Sequence, residues 1–229
     1  MTPVDRDTLD RYIHLLRQVT ANAPPAQPPR ESRGVYEPLM AYHAARVGSD
    51  APLAGLIDEF IEARLPEGDL PAADGARIAR LAWCALTAFA AGQHRDRADA
   101  FLLDLISRQQ PTGEFLLATA SDNPEPHWYH ELILLHAVAT FASMTDASPA
   151  TQAVARAAEF HLRETQPDHA TTEPWAVHAF AGHIDTIPLA DALLHAAMAQ
   201  HGGSVSYVAW MLLADALYCL EQSLKVNRP

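Results

Sequence analysis

The stretch PHWYHELILLHAVATFA, residues 126–142, limits the possible folds more than any other part of this chain. At 100° per residue, His127, His130, Glu131, Leu134, Val138 and Phe141 fall on one stripe of a helix. Trp128, Leu132, Leu135 and Ala139 form a second stripe, and Tyr129, Ile133 and His136 a third. A helix that is apolar on every side must be surrounded by other elements, as at the centre of a large all-α domain. Pro124 and Pro126 suit its start, because a proline in the first turn gives up only an N–H with no helical partner. The spacing therefore predicts that His127, His130 and Glu131 sit at the N-terminal mouth of an inner helix. The unpaired N–H groups and helix dipole there favour anions over an imidazolium.

Helices of two kinds alternate along the rest of the chain. Residues 5–19 place Leu9, Tyr12, Ile13, Leu16 and Val19 on one face, with Asp5 or Thr8 as the cap. Residues 53–64, 96–109, 151–165 and 188–200 are similarly two-faced. Between them lie the apolar segments 36–47, 75–91, 126–143, 174–183 and 205–222, the last capped by Ser204 or Ser206. The proline-rich stretch 22–30 reads as a stiff connector, the segments around 65–75 and 166–173 as loops, and the tail from Lys225 as frayed. No alternating strand pattern flanked by hairpin signals is present. The five pairs keep a period: Trp83, Trp128 and Trp175, each near the start of an apolar helix, are 45 and 47 residues apart. A repeat of that size marks stacked helical hairpins, with apolar helices inside and two-faced helices outside. The expected architecture is one all-α domain over 1–229, an α/α ring of about five hairpins.

Composition removes several functions. A formal net charge of −12, with no basic stripe, argues against nucleic acid as a partner. Arg30, Arg33, Arg77 and Arg80 are scattered and read as solvated surface, as do Asp58, Glu59 and Glu62. No apolar run reaches the ~20 residues of a membrane span, and the polar N-terminus is no signal peptide. Cys84 and Cys219, each within an apolar helix and without a CxxC partner, read as reduced core residues of a cytoplasmic protein.

Phe101-Leu102, Gln109-Gln110 and Gly113-Glu114-Phe115, with a fainter copy at Phe160, Gln166 and Trp175, resemble the QW repeat of squalene-cyclase-like proteins. The chain thus resembles the terpenoid cyclase and protein prenyltransferase superfamily of α/α-toroids. The spacing from aromatic residue to glutamine is longer than the family's, Phe115 replaces its tryptophan, and the second copy lacks the glycine. The resemblance implies a ligand in a central pocket near the inner-helix N-termini, apolar or isoprenoid-like. The family's DxDD acid, its DDxxD magnesium motif and the D-x-C zinc pair of the prenyltransferases are all missing. The scaffold can outlive the reaction, because fold does not fix function.

The remaining chemistry concentrates in His127, His130 and Glu131, candidate acid–base residues, since ionisable groups at a buried helix mouth are costly without a task. Leu134 stands where a zincin motif beginning at His130 needs its second histidine. No metal or other cofactor is expected, although two histidines at i and i+3 beside a carboxylate could hold a divalent ion. Trp128, His169, Glu173, Trp175, His178 and Tyr207 are candidate ligand-binding residues, if adjacent inner helices bring them to the same rim. A plainer reading makes the tryptophans hairpin packing, His136 and His178 core residues satisfied by a carbonyl or hydroxyl, and His161 and His195 surface or filler. Two functions remain open: a small-molecule pocket with acid–base chemistry, for an apolar ligand or a carbohydrate stacked on the inner-helix tryptophans, or a non-catalytic helical scaffold for a protein partner. An incomplete ring would expose an apolar edge that a second copy, forming a homodimer, could cover.

Overall fold

The computed structural model describes residues 2–21, 36–48, 54–145, 147–199 and 205–226. The proline-rich connector and the glycines at 202 and 203 lie outside them, as do Arg30, Arg33 and Ser204. The described residues form the helices α1 (Arg6–Thr20), α2 (Tyr36–Arg46), α3 (Ala54–Glu62), α4 (Gly75–Ala90), α5 (Arg95–Ser107) and α6 (Glu125–Met144). These are followed by α7 (Ser148–Glu164), the single turns α8 (Pro167–Ala170) and α9 (Val177–Phe180), α10 (Ile187–Ala199) and α11 (Tyr207–Val226). Among the described residues there is no strand, only isolated bridges between Pro3 and His183 and between Pro71 and Leu117.

α6, α4 and α1 behave as their patterns require, whereas α2 and α11, also read as apolar, keep a half-buried face. In α6, every residue from Glu131 to Phe141 is buried, so helices cover it on all sides. In α4, residues 81–89 are likewise buried. By contrast α1 buries Leu9, Tyr12, Ile13 and Leu16 on one face. Its cap is Asp5, whose carboxylate accepts the Thr8 N–H at 2.7 Å. Ser206 caps α11 by accepting the Ala209 N–H at 2.9 Å. Among the apolar helices α2 packs on α4, α4 on α6, α6 on α9 and α11, and α11 on α2. Against them lie α3 and α5 on α4, α7 on α6, α10 on α9, and α1 on α11. One cluster of apolar side chains runs through all of them, from Leu9 to Leu220. Burying each large side chain in it contributes about 1.5–3 kcal/mol. Cys84 and Cys219 are free and buried in this core.

Three local expectations need correction. The segment 166–173 is not plain loop, because Pro167 opens the turn α8. The helix expected over 174–183 shrinks to Val177–Phe180, because Ala176 adopts a left-handed backbone (φ 57°) while its N–H donates to the His136 ring. A tertiary contact, not alanine's helix propensity, sets the chain there. At the C-terminal end α11 runs on through Lys225 to Val226.

Arg80 is no solvated charge. Its guanidinium reaches Glu59 at 2.7 Å and Glu37 at 3.3 Å, joining α4 to α3 and α2, so Glu59 is part of a contact and not a free face.

Candidate functional site

The head of α6 is built on a short loop that ends α5. Gln109, two residues past that helix, clamps the loop to α7: its side-chain N–H groups donate to the carbonyls of Gly113 and Ala153, and its oxygen accepts from Arg156. Gly113 has φ 107°, and a Cβ there would lie 2.4 Å from the Arg156 carbonyl oxygen, so only glycine passes. The faint second copy of this motif does not act the same way, since Gln166 is exposed.

The turn at Gly113 sends the chain under α6. There Glu131, fully buried, accepts the N–H groups of Phe115 at 2.9 Å and Leu116 at 2.7 Å. Burial pushes its carboxyl up to about 8, against the pull of the two amide donors. Leu117 continues the same segment by donating to the Leu70 carbonyl at 2.7 Å. Held this way, the loop delivers Glu114 to the His127 ring, with 2.9 Å between Glu114 Oε1 and His127 Nε2. The Thr112 hydroxyl donates to the other Glu114 oxygen at 2.8 Å. A carboxylate accepts only, so the proton of this contact sits on Nε2 and Nδ1 keeps its lone pair when the ring is neutral. Among the described residues no group bonds to that buried Nδ1.

These groups face a cleft of about 330 Å³, lined among others by Glu114, His127, Trp128, His130, Phe160 and Glu164. His130 is half-buried; burial, with a smaller effect from His127, holds its ring below the usual imidazole range. It packs against the first residue of α4 so closely that a Cβ on Gly75 would lie 2.9 Å from its Nδ1. Among the described residues no lysine or arginine lines the cleft.

The other candidate residues fall elsewhere. Trp175 is fully buried and stacks on Tyr36, with centroids 6.2 Å apart and planes 12° apart. The Tyr36 hydroxyl lies 3.2 Å from that of Tyr129. Glu173 accepts from the Ser206 hydroxyl, and Tyr207 stacks on Trp210. His169 is exposed on α8. His178 lies deep, its ring 4.5 Å from that of His136. His136 is six residues beyond His130, about 9 Å further along the helix at 1.5 Å per residue. The first cluster and His178 therefore do not share one rim.

At the level of His136 and Thr140 the apolar helices meet around a carboxylate the sequence reading passed over, Asp215 of α11. It is 1% exposed and accepts from Tyr42 at 3.0 Å, Thr140 at 2.8 Å, His136 at 3.2 Å and the Arg46 guanidinium. The Ala176 N–H donates to His136 Nδ1 at 3.0 Å, so the His136 proton is on Nε2, aimed at Asp215. Burial alone would raise the Asp215 carboxyl; the His136 hydrogen bond and the Arg46 charge overcome it and hold the group well below the usual range. Trp83 fills the remaining space, 5.5 Å from His136 and 6.1 Å from Trp175 between ring centroids. The middle of the molecule here is packed, with Trp83, His136 and Trp175 all at 0% exposure. The available signal was a lone aspartate in the otherwise apolar run YVAWMLLADALYCL.

Among the described residues no three His, Cys, Asp or Glu side chains are grouped to hold a metal ion, and no helix is long and apolar enough to cross a membrane. Searches of protein-family models, curated proteins and solved structures find no match to this chain.

Proposed function

We propose that this chain is an α/α-toroid of the terpenoid cyclase and prenyltransferase kind that binds a small, largely apolar ligand at the head of α6. Support for the ring comes from the order of neighbours, in which α2, α4, α6, α9 and α11 follow one another and α11 returns to α2. Since Trp83, His136 and Trp175 occupy the middle, the ligand is placed at the rim cleft rather than on the axis. The observation that carries the reading is the Glu114–His127 pair at 2.9 Å, with an unpartnered ring nitrogen, on the wall of a 330 Å³ cleft. A carboxylate behind one imidazole nitrogen orients the ring and fixes its tautomer, which leaves the other nitrogen as the acceptor for a bound hydroxyl or ammonium.

The wall chemistry narrows the ligand. Trp128, Phe160 and the alanines favour an apolar body. Glu114 and Glu164, with no lysine or arginine among the lining residues, favour a neutral or cationic head over a diphosphate. In this reading Glu131 positions the loop and does not touch the ligand. The test is a thermal-shift screen of neutral and cationic isoprenoid alcohols and amines against the wild type, His127→Ala and Glu114→Gln. Stabilisation lost in both variants supports the reading; stabilisation equal in all three, or none in any, counts against it.

A second reading, a non-catalytic scaffold for a protein partner or a second copy of the chain, draws on the packed centre. Light scattering showing a monomer, together with a pull-down recovering no partner, would remove it.

A further inference from the structure

A second hollow, of about 160 Å³, opens between α6, α7, α9 and α11. Ala142 on its wall is fifteen residues beyond His127, about 22 Å along α6, so this hollow is separate from the cleft at the helix head. His178 forms part of its wall. That side chain is 6% exposed, and neither ring nitrogen has a hydrogen-bond partner among the described residues. A buried imidazole with both nitrogens unmet is rare in a folded protein.

No group among the described residues bonds to it. His136, whose ring lies 4.5 Å away, uses one nitrogen on the Ala176 N–H and the other on Asp215. The Ser143 hydroxyl donates to the Thr140 carbonyl at 2.8 Å, and that of Ser223 to the Cys219 carbonyl at 3.1 Å. His183, also on the wall, adds a third nitrogen without a hydrogen bond, Nδ1. Three imidazole nitrogens therefore belong to side chains around one small space.

The charge of the site selects its ligand. Among the described residues no carboxylate or guanidinium lines the hollow, and the nearby Asp215 is engaged with Arg46. Burial holds the His178 ring down to about 3, so it offers no cation to an anion. The Cys219 thiol is kept protonated by burial, which removes it as a metal ligand or nucleophile. A neutral imidazole presents one donor and one acceptor, and a hydroxyl can answer either. Ala139, Ala142, Val154 and Leu220 supply the apolar wall that the carbon backbone of such a molecule needs.

We infer that this hollow is a second binding site, for a small neutral polyol, recognised by His178 with His183 beside it. The space is large enough for several waters or one short polyol. Glycerol is the probe. In ¹⁵N-labelled full-length protein, the His178 ring nitrogens shift saturably as glycerol is added. The shift is retained in His127→Ala, which alters only the other cleft, and lost in Ala142→Leu, which fills this one. A linear, non-saturating shift, or one of the same size in Ala142→Leu, overturns the inference. Should Ala142→Leu not fold, a glycerol-soaked crystal of the wild type decides: a glycerol hydroxyl on His178 supports the site, and ordered water alone there overturns it.

Discussion

His130 and Glu131 are adjacent in the chain and face different worlds: the His130 ring lines a cleft, while the Glu131 carboxylate is fully buried and holds the N–H groups of Phe115 and Leu116. One step along a helix turns a side chain by 100°, enough to separate a solvent-facing group from a sealed one. The buried member sets the loop that brings Glu114 to His127, so the cleft depends on a residue that never reaches it.

Removing that anchor is expected to be costly. Glu131→Ala leaves two buried N–H groups without an acceptor, a loss on the order of 3 kcal/mol in urea unfolding. Glu131→Gln keeps one carbonyl acceptor and loses less. The Glu131 carboxyl titrates near 8 when folded against an ordinary 4.5. A raised pKa adds stability below the unfolded value, and that stability is lost as pH rises through the folded one. The wild type should therefore lose stability from this group between pH 4.5 and 8, and the glutamine variant should not.

The histidines act in the opposite direction. His161 and His178 are held near 3 by burial, below the ordinary 6.5. Both stay neutral in the fold, so the stability they allow is complete above pH 6.5 and declines as pH falls toward 3. Tm measured from pH 7.5 to 4.5 should fall less steeply in His178→Phe than in the wild type. An equal slope would show that His178 does not carry the effect.

Asp215 and Arg46 should behave as a coupled pair. Asp215→Ala leaves a guanidinium with 15% of its side chain exposed and no counter-charge, at a cost of about 3–5 kcal/mol. Arg46→Met should also destabilise. The double variant should cost less than the sum of the two, because removing both charges avoids the unpaired one. A double-mutant cycle in urea showing simple additivity would mean that the two charges do not depend on each other.

Gly113→Ala faces a positive φ and a carbonyl oxygen 2.4 Å from the new methyl group. A loss of about 2 kcal/mol or more is expected. The loop shift should also disturb the His127 ring resonances in NMR spectra.

The sequence by itself determined most of the helices and their kinds, the short turns α8 and α9 excepted. A period of 3.6 in Leu9, Tyr12, Ile13 and Leu16, or the all-round apolar run of α6, is a local property that survives any packing. It also placed His127, His130 and Glu131 at a helix head, since proline punctuation is local too. Tertiary structure decided which of them meet. It alone joined Glu114 to His127 across the Gly113 turn, made Asp215 the acceptor for Tyr42, Arg46, His136 and Thr140, and set His178 apart from the cleft. A single aspartate in an apolar helix carries no period to read, and its partners come from segments 75–173 residues away. Contacts over such separations are set by how whole helices dock, which no window of sequence contains.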